Sequence, residues 1–280
     1  MVQHRRTAIS LVAPASVLVI LFLVLPLLLL FRYSLNRFVP GQFMVEALTV
    51  ENYVKVVSDP YYRAVFRTTL EMATGVTLVC LIVGFPLAML LSRMPPRIKS
   101  VMILAVILPL FVGNAVRAAG WMVAFGQKGI INWLLGASGM SPPIEIMYTP
   151  FAVFVGIISV NLPFVVLTLQ AVIEGIEPAS EEAALSLGAT PFETWRLVTL
   201  PLSLPGVLAA GMLCFILAMN AYATPVLLGG PRFQMMAPVV ANEVLNQANW
   251  PFGGALAFIL MLATLALTAI ANIAIARRYR

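Results

Sequence analysis

The side chains that carry most protein chemistry are scarce in this chain and lie far apart. Its one histidine, His4, stands in the N-terminal tail, so neither a Ser-His-Asp triad nor a histidine-rich metal site can form within the apolar body. Cys80 and Cys214 each sit alone in an apolar run. Without a Cys-x-x-Cys spacing, both read as small buried hydrophobes. Lys55, Lys99 and Lys128 are the only lysines, and none closes a phosphate-binding GxxxxGK[ST] loop, which excludes ATP hydrolysis through that motif. No metal or other cofactor is implied. What remains is a set of carboxylates, Glu177, Glu181, Glu182 and Glu193, close to Arg196, and a few polar side chains in apolar surroundings: Glu71, Arg117, Asn161, Asn220 and Tyr222.

The elements that hold them follow from composition. The chain has 280 residues, 61% hydrophobic and only 10% charged, with a mean hydropathy of +0.98. A soluble domain has about 45–50% apolar and about 25% charged residues, so the expected solvent here is a bilayer. Charge-free runs cover 7–31, 72–92, 100–116, 146–173, 197–231 and 244–276. A membrane helix needs about 20 such residues. Trimming the long runs at Pro201, Pro205, Pro225 and Pro251 predicts six helices at about 9–31, 65–92, 100–125, 149–173, 204–224 and 253–276. The first run is too long for a signal-peptide core, lacks a small-residue cleavage site and ends in Phe31-Arg32-Tyr33. It reads as a retained helix. The fold class is an all-α polytopic membrane protein, with residues 1–280 forming a single domain.

Six spans put both termini on one side. Arg5, Arg6, Arg93, Arg97, Lys99, Arg196, Arg277, Arg278 and Arg280 share that side. The short 93–99 loop and the C-terminal tail are dense in positive charge, whereas the long first loop counts for less, so this side is cytoplasmic. Loops 32–64, 126–148 and 225–252 then lie outside, and 93–99 and 174–203 inside. The net charge of +6 belongs to this topology. No basic patch with interleaved aromatics points to nucleic acid.

The inner loop from Ile173 to Gly206 is unusually legible. Pro178 suits the first position of a helix, and Glu181 and Glu182 favour the positive end of its dipole. Ala183, Ala184, Leu185 and Leu187 continue it, and Gly188 is placed to end it in a left-handed conformation. Thr190 and Glu193 form a capping-box pair around Pro191. A second short helix should then carry Trp195, Arg196 and Val198 until Pro201 stops it. The loop is thus expected to be two short helices joined at a tight glycine turn.

Glu182-Ala183-Ala184, three residues, Gly188, nine residues, Val198, one residue and Leu200-Pro201 resembles the E-A-A-x3-G-x9-I-x-L-P motif of ABC importer permeases, with only Val in place of Ile. Glu51-Asn52-Tyr53, Met147-Tyr148-Thr149-Pro150, Leu162-Pro163-Phe164, Leu228-Gly229-Gly230-Pro231 and Asn249-Trp250-Pro251-Phe252-Gly253 look like the first-permease subunit of spermidine/putrescine importers. The resemblance covers essentially the whole chain. It implies a subunit of a type I importer in the bacterial cytoplasmic (inner) membrane. The implied partners are a second permease, similar or identical, two ATP-binding subunits, and a periplasmic or lipoprotein substrate-binding protein. It also implies ATPase coupling through Glu181, Glu182, Ala183, Ala184, Gly188, Ala189, Pro191, Leu200 and Pro201. Other small solutes, such as amino-acid derivatives, ferric iron or oxyanions, are the alternative cargo. The absence of an internal histidine, of clustered carboxylates and of a metal-ligand pattern argues against a membrane-embedded enzyme, and a structural or sensory membrane protein would have no reason for the motif.

The polar residues within the spans are the pathway or gate candidates. Glu71 and Arg117 both fall toward the outer interface, at a depth that allows them to pair, to snorkel or to line a gate. Asn161 and Asn220 suit interhelical hydrogen bonds or a pathway lining. Pro109 and Pro163 would loosen the helices nearby. Trp121, Tyr222 and Trp250 suit the aromatic belt. Ammonium groups are held by carboxylates and aromatic faces. The few carboxylates at membrane depth mean that this chain adds little to binding such a cation or relies on its partner.

Overall fold

The computed structural model describes residues 13–14, 16–41, 44–139 and 144–278. Its helices, in chain order, are α1 Ser16–Ser34, α2 Glu51–Ser58, α3 Pro60–Ser92, α4 Pro96–Phe111, α5 Asn114–Phe125, α6 Ile130–Ala137, α7 Pro150–Glu174, α8 Pro178–Ser186, α9 Pro191–Met219, α10 Ala223–Leu228, α11 Met236–Ala241 and α12 Trp250–Arg278. Among the described residues no strand occurs. Five helices are long and apolar enough to span a bilayer alone, and α4 with the α5–α6 segment makes a sixth. The protein is an all-α polytopic membrane protein.

The third span departs from the expected straight helix. Around Pro109 the chain tightens into a 3-10 turn, Leu108–Phe111, and Val112 is extended. The next helix starts afresh at Asn114, and the two axes differ by 95°. Proline lacks the N–H that would continue the ladder, and Gly113 (ψ 145°) leaves helical geometry. Pro163, by contrast, stays inside an uninterrupted α7.

The second correction concerns Pro201. It does not stop a short helix: Pro191 to Met219 is one continuous helix. Trp195–Thr199 forms a wide π turn directly before Leu200-Pro201. The same device, Ile20–Val24, precedes Leu25-Pro26 in α1. A proline ring clashes with the carbonyl four residues back, and a single wide turn moves that carbonyl while keeping the helix intact.

Contacts divide the chain into two compact units. The first holds α1, α2 and most of α12. The Ser34 hydroxyl and the Tyr53 phenol are 2.6 Å apart, and Asn52 Nδ2 donates to the Ser34 and Asn36 carbonyls. Phe31 packs edge-on against Phe258 at 5.2 Å. Tyr62 donates to Glu243 at 3.2 Å, and Lys55 lies 4.5 Å over the Phe252 ring.

The second unit holds α3 beyond its first turn through α10. Small residues set its packing. A Cβ on Gly84 would meet Val165 at 2.9 Å, and one on Gly206 would meet Val172 at 2.7 Å. Cys80 and Cys214 are fully buried among these helices. Trp121 is turned inward rather than left to the interface: its indole N–H donates to Ser159 at 2.9 Å and its ring stacks on Phe125. Tyr148 and Gly230, both at positive φ, meet ring to backbone, which joins two of the segments that carry the family resemblance.

Candidate functional site

The acidic loop folds into a compact projecting element. Pro178 opens α8 with Glu177 as its N-cap. At the other end Gly188 adopts φ +89°, its N–H donates to the Leu185 carbonyl, and the Ala189 N–H donates to that of Ala184. This is a Schellman closure, which satisfies carbonyls the helix end would otherwise orphan. Thr190 and Glu193 then form a full capping box that starts α9 at Pro191. Glu182, Ala183, Gly188 and Pro191 are exposed, and Ala184 and Ala189 are partly so. Leu185, Leu187 and Phe192 are exposed as well, Leu187 at 89%. Exposed apolar side chains thus flank the exposed Glu182 carboxylate on this loop. Leu200 and Pro201 lie apart from this tip, inside α9.

Glu181 differs from its neighbour. Its carboxylate pairs with the Arg93 guanidinium and accepts a hydrogen bond from the Thr199 hydroxyl at 2.6 Å. Burial pushes this carboxyl up, but the Arg93 and Thr199 hydrogen bonds and the Arg93 charge outweigh it and hold it below the usual carboxylate range. The pair is therefore fully formed above the ordinary carboxylate pKa, and is lost only as pH falls through the depressed value. Lys99 and Glu174 form a second pair at 2.6 Å. Arg93 counts in the sequence only as a topology charge. Nothing local links it to a carboxylate 88 residues away.

The membrane-depth candidates separate. Asn161, Asn220 and Tyr222 line one cavity of about 320 Å3, together with Asn114, Thr224 and aliphatic side chains of α7 and α9. Asn161 is buried and donates to the Cys214 carbonyl at 3.4 Å, and Asn220 donates back to the Ile216 carbonyl. The lining is neutral and holds no carboxylate. Asn114 was missed because its significance depends on the break that brings the α5 N-terminus to this cavity. Glu71 and Arg117 do not pair and do not line the cavity. Glu71 bonds Arg67 one helical turn away at 2.7 Å. Arg117 donates to the Pro109 and Val112 carbonyls at the α4–α5 break, and the Pro109 carbonyl also accepts the Val112 N–H.

Comparisons with known proteins agree with this architecture. The family described as binding-protein-dependent transport system inner membrane component matches residues 80–280. The spermidine/putrescine transport system permease protein PotB of Haemophilus influenzae is 35% identical over 237 residues, 84% of this chain and 82% of that protein. PotB of Escherichia coli K12 is 32% identical, over 84% of this chain and 86% of that protein. A chain of a bacterial alginate ABC transporter, solved with an alginate pentasaccharide-bound periplasmic protein, superposes with a TM-score of 0.78 at 17% identity, covering 99% of this chain and 96% of that one. At that identity it attests the fold alone. The chain is thus a multi-pass membrane protein belonging to the family of binding-protein-dependent transport system inner membrane components, and it serves as a permease subunit.

Proposed function

We propose that the chain forms half of the translocation pathway of a polyamine importer and couples ATP hydrolysis in separate subunits to alternating access. The carrying observation is the projecting α8, glycine turn and start of α9, with Leu185, Leu187 and Phe192 exposed beside Glu182. A rigid apolar tip of this kind suits a groove in an ATPase subunit, and motion of the tip reaches the membrane through helices rigidly joined to it. The ATPase side is then the side of both termini, the cytoplasm.

The cavity supports the cargo assignment in one respect and divides it in another. Asparagine oxygens, the Thr224 hydroxyl and the Tyr222 ring suit an ammonium group. The lining brings no negative charge, so a second permease subunit supplies the carboxylates, and a substrate-binding protein delivers the solute. The relatives named for spermidine and putrescine transport carry the choice of polyamine. The test is uptake in vesicles containing the whole transporter. Labelled spermidine uptake should require ATP and the binding protein, be inhibited by unlabelled putrescine and be indifferent to sulfate. Inhibition by sulfate with spermidine not transported would overturn the cargo assignment.

A further inference from the structure

Glu181 and Glu182 are neighbours that read alike in sequence, yet α8 turns them to different tasks. Glu182 is exposed, whereas the Glu181 side chain is only 14% exposed. One Glu181 oxygen accepts from Thr199, and both meet the Arg93 guanidinium. Arg93 sits in the turn directly after α3, and Thr199 is buried in the wide turn of α9. The same two helices meet again where the Trp195 ring packs edge-on against Phe85 at 6.1 Å. The projecting helix is thus fastened to α3 and α9, while its covalent link to α7 is the short turn through Gly175 and Ile176.

We propose that the Arg93–Glu181–Thr199 node is the strut through which force on α8 reaches α3 and α9. Glu181 is then a positioning residue, and Glu182 is the carboxylate presented to the partner. Arg93 Nη2 reaches both Glu181 oxygens, and a contact between two charged groups is stronger than one between neutral ones. The Thr199 hydroxyl, held in the π turn, gives that contact a second fixed end. Without Arg93, Glu181 is a largely desolvated carboxylate with one hydroxyl for company, and it would turn toward water and take α8 with it.

This inference rests on the coupling role proposed above, and the experiment separates the two. In the reconstituted transporter, with its ATPase subunits and binding protein, uptake and ATP hydrolysis are measured side by side for four variants. Arg93→Glu should lower uptake roughly tenfold while ATPase subunits still co-purify, and the ATP hydrolysed per solute moved should rise roughly fivefold. Arg93→Lys should stay within roughly threefold of the parent, and Arg93→Glu with Glu181→Arg should recover most of the loss. Normal uptake in Arg93→Glu, no recovery in the exchanged pair, or an unchanged ratio of ATP to solute would overturn the strut. The fourth variant, Gly188→Leu, reports on the coupling role itself. If it transports normally, the coupling assignment fails. If it loses transport while the exchanged pair shows no rescue, only the strut fails.

Discussion

Replacing Gly188 with leucine should abolish uptake while leaving the protein inserted at near-normal levels. The residue sits at φ +89°, and a Cβ there meets nothing within 4 Å, so the penalty is conformational and not steric. A side chain at positive φ costs roughly 1–2 kcal/mol, too little to unfold the packed spans of this chain. The turn can avoid that cost by leaving the left-handed region, and the bonds from Gly188 to Leu185 and from Ala189 to Ala184 then break. The end of α8 frays, and the orientation of Glu182 and Leu187 is lost. Asparagine tolerates the left-handed region, so Gly188→Asn should keep most of the activity. Equal loss in the two variants would mean that the side chain, and not the backbone, matters here. The measurement is uptake and ATPase co-purification for each, normalised to the amount of protein in the membrane.

The second large effect is expected at Gly206, in α9. A Cβ built there lies 2.7 Å from the Cβ and both γ-carbons of Val172 in α7. Valine in a helix has one strongly preferred rotamer, so it cannot swing away. Gly206→Leu should therefore leave little folded protein after detergent extraction. Gly206→Ala should cost about 1–3 kcal/mol of overpacking, set against a helix-propensity gain of about 0.5–1 kcal/mol. Val172→Gly in the same chain takes away the Cβ as well as both γ-carbons and should remove the clash, so thermal unfolding of the double variant should be well above that predicted from the two single variants. Additive effects would show that α7 and α9 do not meet at this point.

How much of this was legible in the sequence depends on how local each cause is. The α8 turn was legible because its signals, Pro178, Gly188, Thr190 and Glu193, act within a few residues, and the structure places each in its expected role. The spans were legible because the bilayer sets their length and apolar content. Hydropathy counts residues and does not report direction, so the 95° break after Pro109 was invisible. Pro201 was expected to end a helix because a proline is a breaker in isolation. The π turn ahead of it, a response of the whole helix, lets the chain continue. Depth alone leaves Glu71 and Arg117 able to pair, to snorkel or to line a gate. Arg67 for Glu71, and the Pro109 and Val112 carbonyls for Arg117, are nearer partners. The cavity gathered Asn161, Asn220 and Tyr222 as candidates for the pathway, whereas Arg93 and Asn114 matter only through contacts made in three dimensions.

The docking of the projecting tip on an ATPase subunit can be tested by cross-linking. Leu187 is 89% exposed and the native Cys80 and Cys214 are buried, so a cysteine at Leu187 offers a single reactive thiol at the tip. With a short thiol-reactive cross-linker in the assembled transporter, Leu187→Cys should link to the ATPase subunit, and Ile130→Cys, exposed on α6, should not. A product from Ile130→Cys equal to that from Leu187→Cys, or none from Leu187→Cys in a transporter that hydrolyses ATP, would contradict the account.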